Sequence, residues 1–130
     1  MHWVDNRADL FPATLPTNVT RYTSDTPASL VNQMPADSYY LVMTHDHALD
    51  LEICDHVLAR GGFQFLGLIG SETKAARFKR QLLRKGLAEQ GIARLTCPIG
   101  IGGIHSKLPS SIAVAVVAQL LTKQYQDQNP

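Results

Sequence analysis

The sequence predicts a three-layer α/β fold built on a mostly parallel sheet, and three observations carry that expectation. First, Tyr39–Phe78 reads as strand, loop, helix, strand, loop, helix. Second, both loops fall at the carboxyl ends of their strands, where open α/β sheets bind ligands, and polar residues crowd into them. Third, 130 residues suffice for one substantial core but not for two, so residues 1–130 are read as a single domain. Within the central stretch, Tyr39–Met43 is apolar and β-prone until Thr44-His45-Asp46-His47 breaks it. Ala48–Arg60 then sets Leu49, Ile53, Val57 and Leu58 on one helical face, and Gly61-Gly62 supplies a glycine stop. Phe63–Ile69 is the second strand, and Gly70-Ser71 opens the second helix. A right-handed crossover joining parallel strands is the expected geometry.

The flanking elements follow in order. Met1–Asp5 is a short strand, followed by a turn and an apolar anchor at Leu10-Phe11-Pro12. Asp5 stands at a strand end, where a dinucleotide fold grips a ribose hydroxyl; the alternative is that it caps the turn. Such a strand would be the second of its sheet, yet no G-x-G-x-x-G turn stands before it in the sequence. A strand is expected around Val19–Tyr22. A short helix then begins at Ser24-Asp25-Thr26-Pro27, with capping side chains ahead of a first-turn proline, and runs to about Gln33. Gly86 closes the helix after Ser71, Gln90–Leu95 is an edge strand, and Cys97–Gly103 is a glycine-rich loop. Pro109–Tyr125 is a helix whose Ile112, Ala113, Val116, Val117, Leu120 and Leu121 predict that most of it is buried.

Composition narrows the class. Hydrophobic content of 45% against 18% charged describes a globular chain. A net charge of +1 offers no global field for nucleic acid or a membrane surface. Charge is uneven, however: Lys74, Arg77, Lys79, Arg80, Arg84 and Lys85 gather on one helix. Two cysteines make no disulfide framework, and the apolar run Ile112–Ala118 is too short to span a bilayer. With no signal peptide in view, the expected location is cytoplasmic.

Three stretches could carry chemistry. Thr44–Asp50 holds two histidines and two carboxylates, types that bind metals. Their spacing departs from the H-x-H-x-D-H run of binuclear metallohydrolases, so no metal is assigned. His45 and Asp46 are read instead as polar contacts of a ligand pocket, with helix capping by Asp46 and Asp50 as the structural alternative. Gly67–Lys74 leaves a strand and enters a helix. There Gly70 permits close backbone approach, and Ser71, Lys74 and Arg77 suit an anion, although the G-K-[ST] ending of a Walker A loop is missing. Cys97 could be a ligand or nucleophile, but no base stands beside it in sequence.

Taken together, Trp-Val-Asp-Asn-Arg with Phe-Pro at Trp3–Pro12, Thr44–Asp50, G-L-I-G-S-x-x-K-x-x-R-F at Gly67–Phe78, Cys97–Gly100 and the late helix Pro109–Leu121 closely resemble one family. It is the Rossmann-like C-terminal domain of the XdhC/CoxI maturation factors of molybdenum enzymes. The resemblance runs from Trp3 to about Leu121. It implies a Rossmann-like domain with its first βα unit absent from these residues, so that a strand is missing between the strand ending at Asp5 and Tyr39–Met43. A homo-oligomer is therefore expected, since unpaired strand edges are costly. The resemblance also implies binding of molybdenum cofactor, support of its sulfuration with a cysteine desulfurase, and delivery to a xanthine dehydrogenase-type apoenzyme. Carried over by position, Gly67, Gly70, Ser71, Lys74 and Arg77 would meet the phosphate or nucleotide end. Asp5 matches the acidic strand end, and Thr44, His45, Asp46 and Cys97 line the pocket. One departure is Leu108-Pro109-Ser110-Ser111, where the family often has Thr-Pro and an acidic residue.

Four readings follow. A cofactor-binding chaperone domain comes first, and a fragment of an NAD(P)- or FAD-dependent oxidoreductase second, weakened by the missing glycine fingerprint. A metal-dependent hydrolase built on Thr44–Asp50 and a remnant acting through dimerisation complete the set.

Overall fold

A computed structural model describes all residues, 1–130. Strand β1 (His2–Asp5) and β2 (Thr20–Thr23) are followed by a 3₁₀ segment, Pro27–Gln33. Then come β3 (Tyr39–Val42), α1 (His47–Arg60), β4 (Phe65–Leu68), α2 (Glu72–Arg84), a single turn α3 (Glu89–Ile92), β5 (Leu95–Thr96) and α4 (Pro109–Gln128). Every strand pair is parallel: β1 with β2, and β4 with β3 on one side and β5 on the other. The fold is thus mixed α/β and Rossmann-like, as expected. The two sheets are not hydrogen-bonded to each other, so β1 and β3 each keep one unpaired edge.

The core explains the order. All four residues of β4 are buried, as befits a central parallel strand covered on both faces. Leu66 and Leu68 point to one face, where they join Val42 of β3, Cys54 and Val57 of α1, and Phe78 and Leu82 of α2. Burying one such side chain contributes about 1.5–3 kcal/mol, so this cluster sets where α1 and α2 sit. On the opposite face, Ile99 packs over Gly67, where an added Cβ would come within 2.6 Å of it. Tyr39 donates its hydroxyl hydrogen bond to Asp127, which ties α4 across that same face. The third layer is therefore the 97–101 loop with α4.

Glycines end the helices where the sequence places them, with Gly61 at φ +69° and Gly86 at φ +89°. Three expectations need correction. The face of α1 that sinks fully into the core is Asp50, Cys54 and Val57, while Leu49, Ile53 and Leu58 are half-buried on its flanks. Gln90–Leu95 is not a strand: residues 89–92 make a helical turn, and only Leu95–Thr96 pair with β4. Most of α4 is not buried. Ala115 and Val116 are, but Val114, Val117, Leu121 and Tyr125 stand in water because no other element of the chain reaches them.

Candidate anion-binding cleft

Two loops build the site. After β3, Thr44–Asp46 turn into α1; after β4, Ile69-Gly70-Ser71 turn into α2. Between them lies a cleft of about 350 Å³ lined by Thr44, His45, His47, Ser71, Lys74 and Arg77, with Ile69, Gly70 and Thr73. No carboxylate is among the lining residues. Ser71 caps α2, its hydroxyl accepting from the Lys74 amide at 3.1 Å. The Glu72 and Thr73 amides have no acceptor within the chain, so the positive end of a 13-residue helix opens into the cleft. Arg77, one turn further, lies 3.3 Å from His47 Nδ1 and makes no salt bridge, leaving its guanidinium charge unneutralised.

A buried ion pair underlies the cleft. Lys74 Nζ donates to Asp50 Oδ2 at 2.9 Å and to the Ile69 carbonyl at 2.8 Å. The other carboxylate oxygen of Asp50 accepts from the Thr44 amide at 2.9 Å. Asp50 is 0% and Lys74 7% exposed. One pair thereby joins the carboxyl ends of β3 and β4 to the first turns of α1 and α2. Burying two charges costs several kcal/mol each unless their remaining valences are met, and here the carboxylate has partners on both oxygens. Gly70 permits the arrangement, since its φ of +154° favours glycine and a Cβ there would lie 2.5 Å from Lys74 Cδ.

The predicted residues divide accordingly. Thr44, His45, Gly70, Ser71, Lys74 and Arg77 come together around the cleft. Lys74 does so with its ammonium already committed to Asp50 and Ile69, so it shapes the wall and Arg77 is the cation free to meet a ligand. Four residues stand outside. Asp5 is held by Arg7, whose Nε and terminal nitrogen donate to the two carboxylate oxygens at 3.0 and 3.1 Å; these bonds depress its pKa. It serves the turn, the structural alternative. Asp46 caps α1, accepting from the Ala48 amide at 2.7 Å. Gly67 is buried within β4 under Ile99 and Phe65. Cys97 lies at the end of β5 with Sγ 3.9 Å from the Ser71 carbonyl, its thiol pKa raised by burial. No three His, Cys, Asp or Glu side chains converge as metal ligands.

Sequence reasoning missed His47, Thr73 and Ile69. His47 begins α1 within a loop already singled out, and only the packing of α1 beside α2 brings it to Arg77. Thr73 is a helix-start residue beside Ser71, a signal that was available. Ile69 contributes at the strand end, where its polar role is that of its carbonyl and leaves no mark in the residue type.

The XdhC Rossmann domain, as a family, matches residues 1–120. The chain belongs to that family. A relative in Escherichia coli (strain K12), named "Uncharacterized protein YqeB", is 32% identical over 117 residues, which is 88% of this chain and 21% of the relative. This XdhC-family domain therefore spans about a fifth of that relative's length. No helix in it is long and apolar enough to cross a membrane. Its cleft presents hydroxyls, open helix-start amides and one guanidinium without a carboxylate partner, donors of the kind that suit an anion.

Proposed function

We propose that this domain binds molybdenum cofactor and serves, as an accessory chaperone rather than a catalyst, in maturing a xanthine dehydrogenase-type enzyme. Membership in the XdhC Rossmann-domain family supports the accessory role. The observation that carries cofactor binding is the carboxylate-free cleft, where the open start of α2 and Arg77, which has no carboxylate partner, face the same space. Helix-start amides and arginine are the donors that phosphate uses best. A nucleotide attached to the cofactor would be held through the same phosphate contacts. Sulfuration with a cysteine desulfurase, insertion into the apoenzyme and a cytoplasmic setting complete the proposal.

An oxidoreductase fragment binding NAD(P) or FAD is the weaker reading. For NAD, a dinucleotide fold uses a strand-end carboxylate to hold the ribose hydroxyl, and Asp5 is occupied by Arg7. The test is calorimetric titration of the full chain with molybdenum cofactor, and separately with ATP, NAD and FAD. Saturable binding of the cofactor, at least tenfold tighter than any of the three, is expected, a margin of about 1.4 kcal/mol. Preference for NAD or FAD would replace the proposal with the oxidoreductase reading.

A further inference from the structure

A second cavity, of about 270 Å³, lies on the far side of Gly70. Ile69 and Gly70 line both it and the anion cleft, so a ridge two residues wide separates them. Gly70 has no side chain to raise that ridge. The residue types change across it: the first cleft presents hydroxyls, imidazoles and a guanidinium, whereas in the second Ile99, Ile101, Ile104, Ile112 and Ala115 share the wall with polar groups, His105 and Ser106 among them, that make up the larger part of its surface.

The wall is preformed. The Gly100 amide donates to Gln119 Oε1 at 2.8 Å, and the Ile101 amide donates to the Ala115 carbonyl at 2.9 Å. Gly100, at φ +105°, lies so close to α4 that an added Cβ would be 3.2 Å from Ala115 Cβ. The loop is therefore fixed by its backbone, while Ile101 and Ile104 remain 40% and 43% exposed at the rim. Isoleucines held in water beside a cavity gain by being covered. His105 and Ser106, also lining it, offer hydrogen bonds at its edge.

We infer that the second cavity is the subsite for the uncharged heterocyclic end of the ligand whose phosphate end occupies the first cleft. The ligand crosses the Gly70 ridge, with its anion at Ser71, Thr73 and Arg77 and its ring system against Ile101, Ile104 and Ile112. The class is a phosphorylated heterocycle of pterin or nucleotide size. This rests on the reading that the first cleft takes a phosphate, and it adds which part of the chain holds the other half.

The experiment compares the wild-type chain with a variant carrying Ile101→Ser and Ile104→Ser, each titrated with molybdenum cofactor and with inorganic pyrophosphate. Both side chains are at the rim, so the variant should fold, which circular dichroism verifies. The expected result is a roughly tenfold or greater loss of cofactor affinity, the scale of uncovering an isoleucine, with pyrophosphate affinity unchanged. Equal cofactor affinity in variant and wild type would overturn the subsite while leaving the phosphate cleft standing. Equal loss for both probes would overturn it as well, by placing the isoleucines' effect at the first cleft. A wild-type chain that binds neither probe would remove both readings together.

Discussion

At the scale of single residues, Lys74 and Asp50 carry the most information. Spacing alone makes Lys74 a phosphate contact after a glycine-serine turn. In the structure it is a buried partner of Asp50, 24 residues away, and spends its charge inside the chain. No local pattern could show this. Asp50 stands in the first turn of a helix, where a carboxylate is ordinary, and only the packing of α1 beside α2 turns it toward Lys74. Removing one partner of such a pair strands the other's charge, so Lys74→Ala or Asp50→Ala should cost about 3–5 kcal/mol. Replacing both with apolar residues, as in Asp50→Leu with Lys74→Met, should recover most of that. Urea denaturation of the three variants measures it. A Lys74→Ala protein as stable as wild type would show that the pair does not brace the loops. Cys54 offers a contrast, since burial pushes its thiol up to about 12, and it behaves as the inert core residue its mid-helix position suggests.

Elements were legible where local chemistry and tertiary need agreed. The β3–α1–β4–α2 run was readable because short, nearly continuous apolar strands, capping residues and glycine stops all point to the same boundaries, shifted by a residue or two. Ser71 caps α2, and Gly61 ends α1. Legibility failed at α3 and β5. A two-residue strand has too little pattern to declare itself, and it exists because the free edge of β4 pairs with it. It failed also at α4, whose length was recognisable but whose burial was not. Apolar periodicity says that a face seeks cover, not that this chain supplies it. The exposed residues Val114, Val117 and Leu121 follow helical spacing, and none is charged. We propose that a second copy of the chain covers them, since a stripe of this kind can pair with itself across a two-fold axis. Light scattering should then give a mass above that of a monomer, and Val117→Glu with Leu121→Glu should reduce it to one. A stable wild-type monomer would contradict this.

Across the whole molecule, the two parallel sheets bring the chain's polar loops to one end and leave β1 and β3 each with an unpaired edge. Fold class and family were readable because several motifs in fixed order must all agree. The division of labour at the site was not, because it depends on which charges the fold neutralises. Asp5 is neutralised by Arg7 and Lys74 by Asp50, whereas Arg77 has no carboxylate partner. Under the proposed function, anion recognition falls to Arg77 and the start of α2. Titration of the wild-type chain and an Arg77→Ala variant with molybdenum cofactor, at matched salt, tests this most directly. Arg77 is exposed, so the variant should keep its stability. The prediction is a roughly tenfold or greater loss of affinity, as for removal of a charged hydrogen-bond donor from a phosphate, with unchanged thermal stability. Unaltered affinity in the variant would contradict the assignment of this cleft to the cofactor's anionic end.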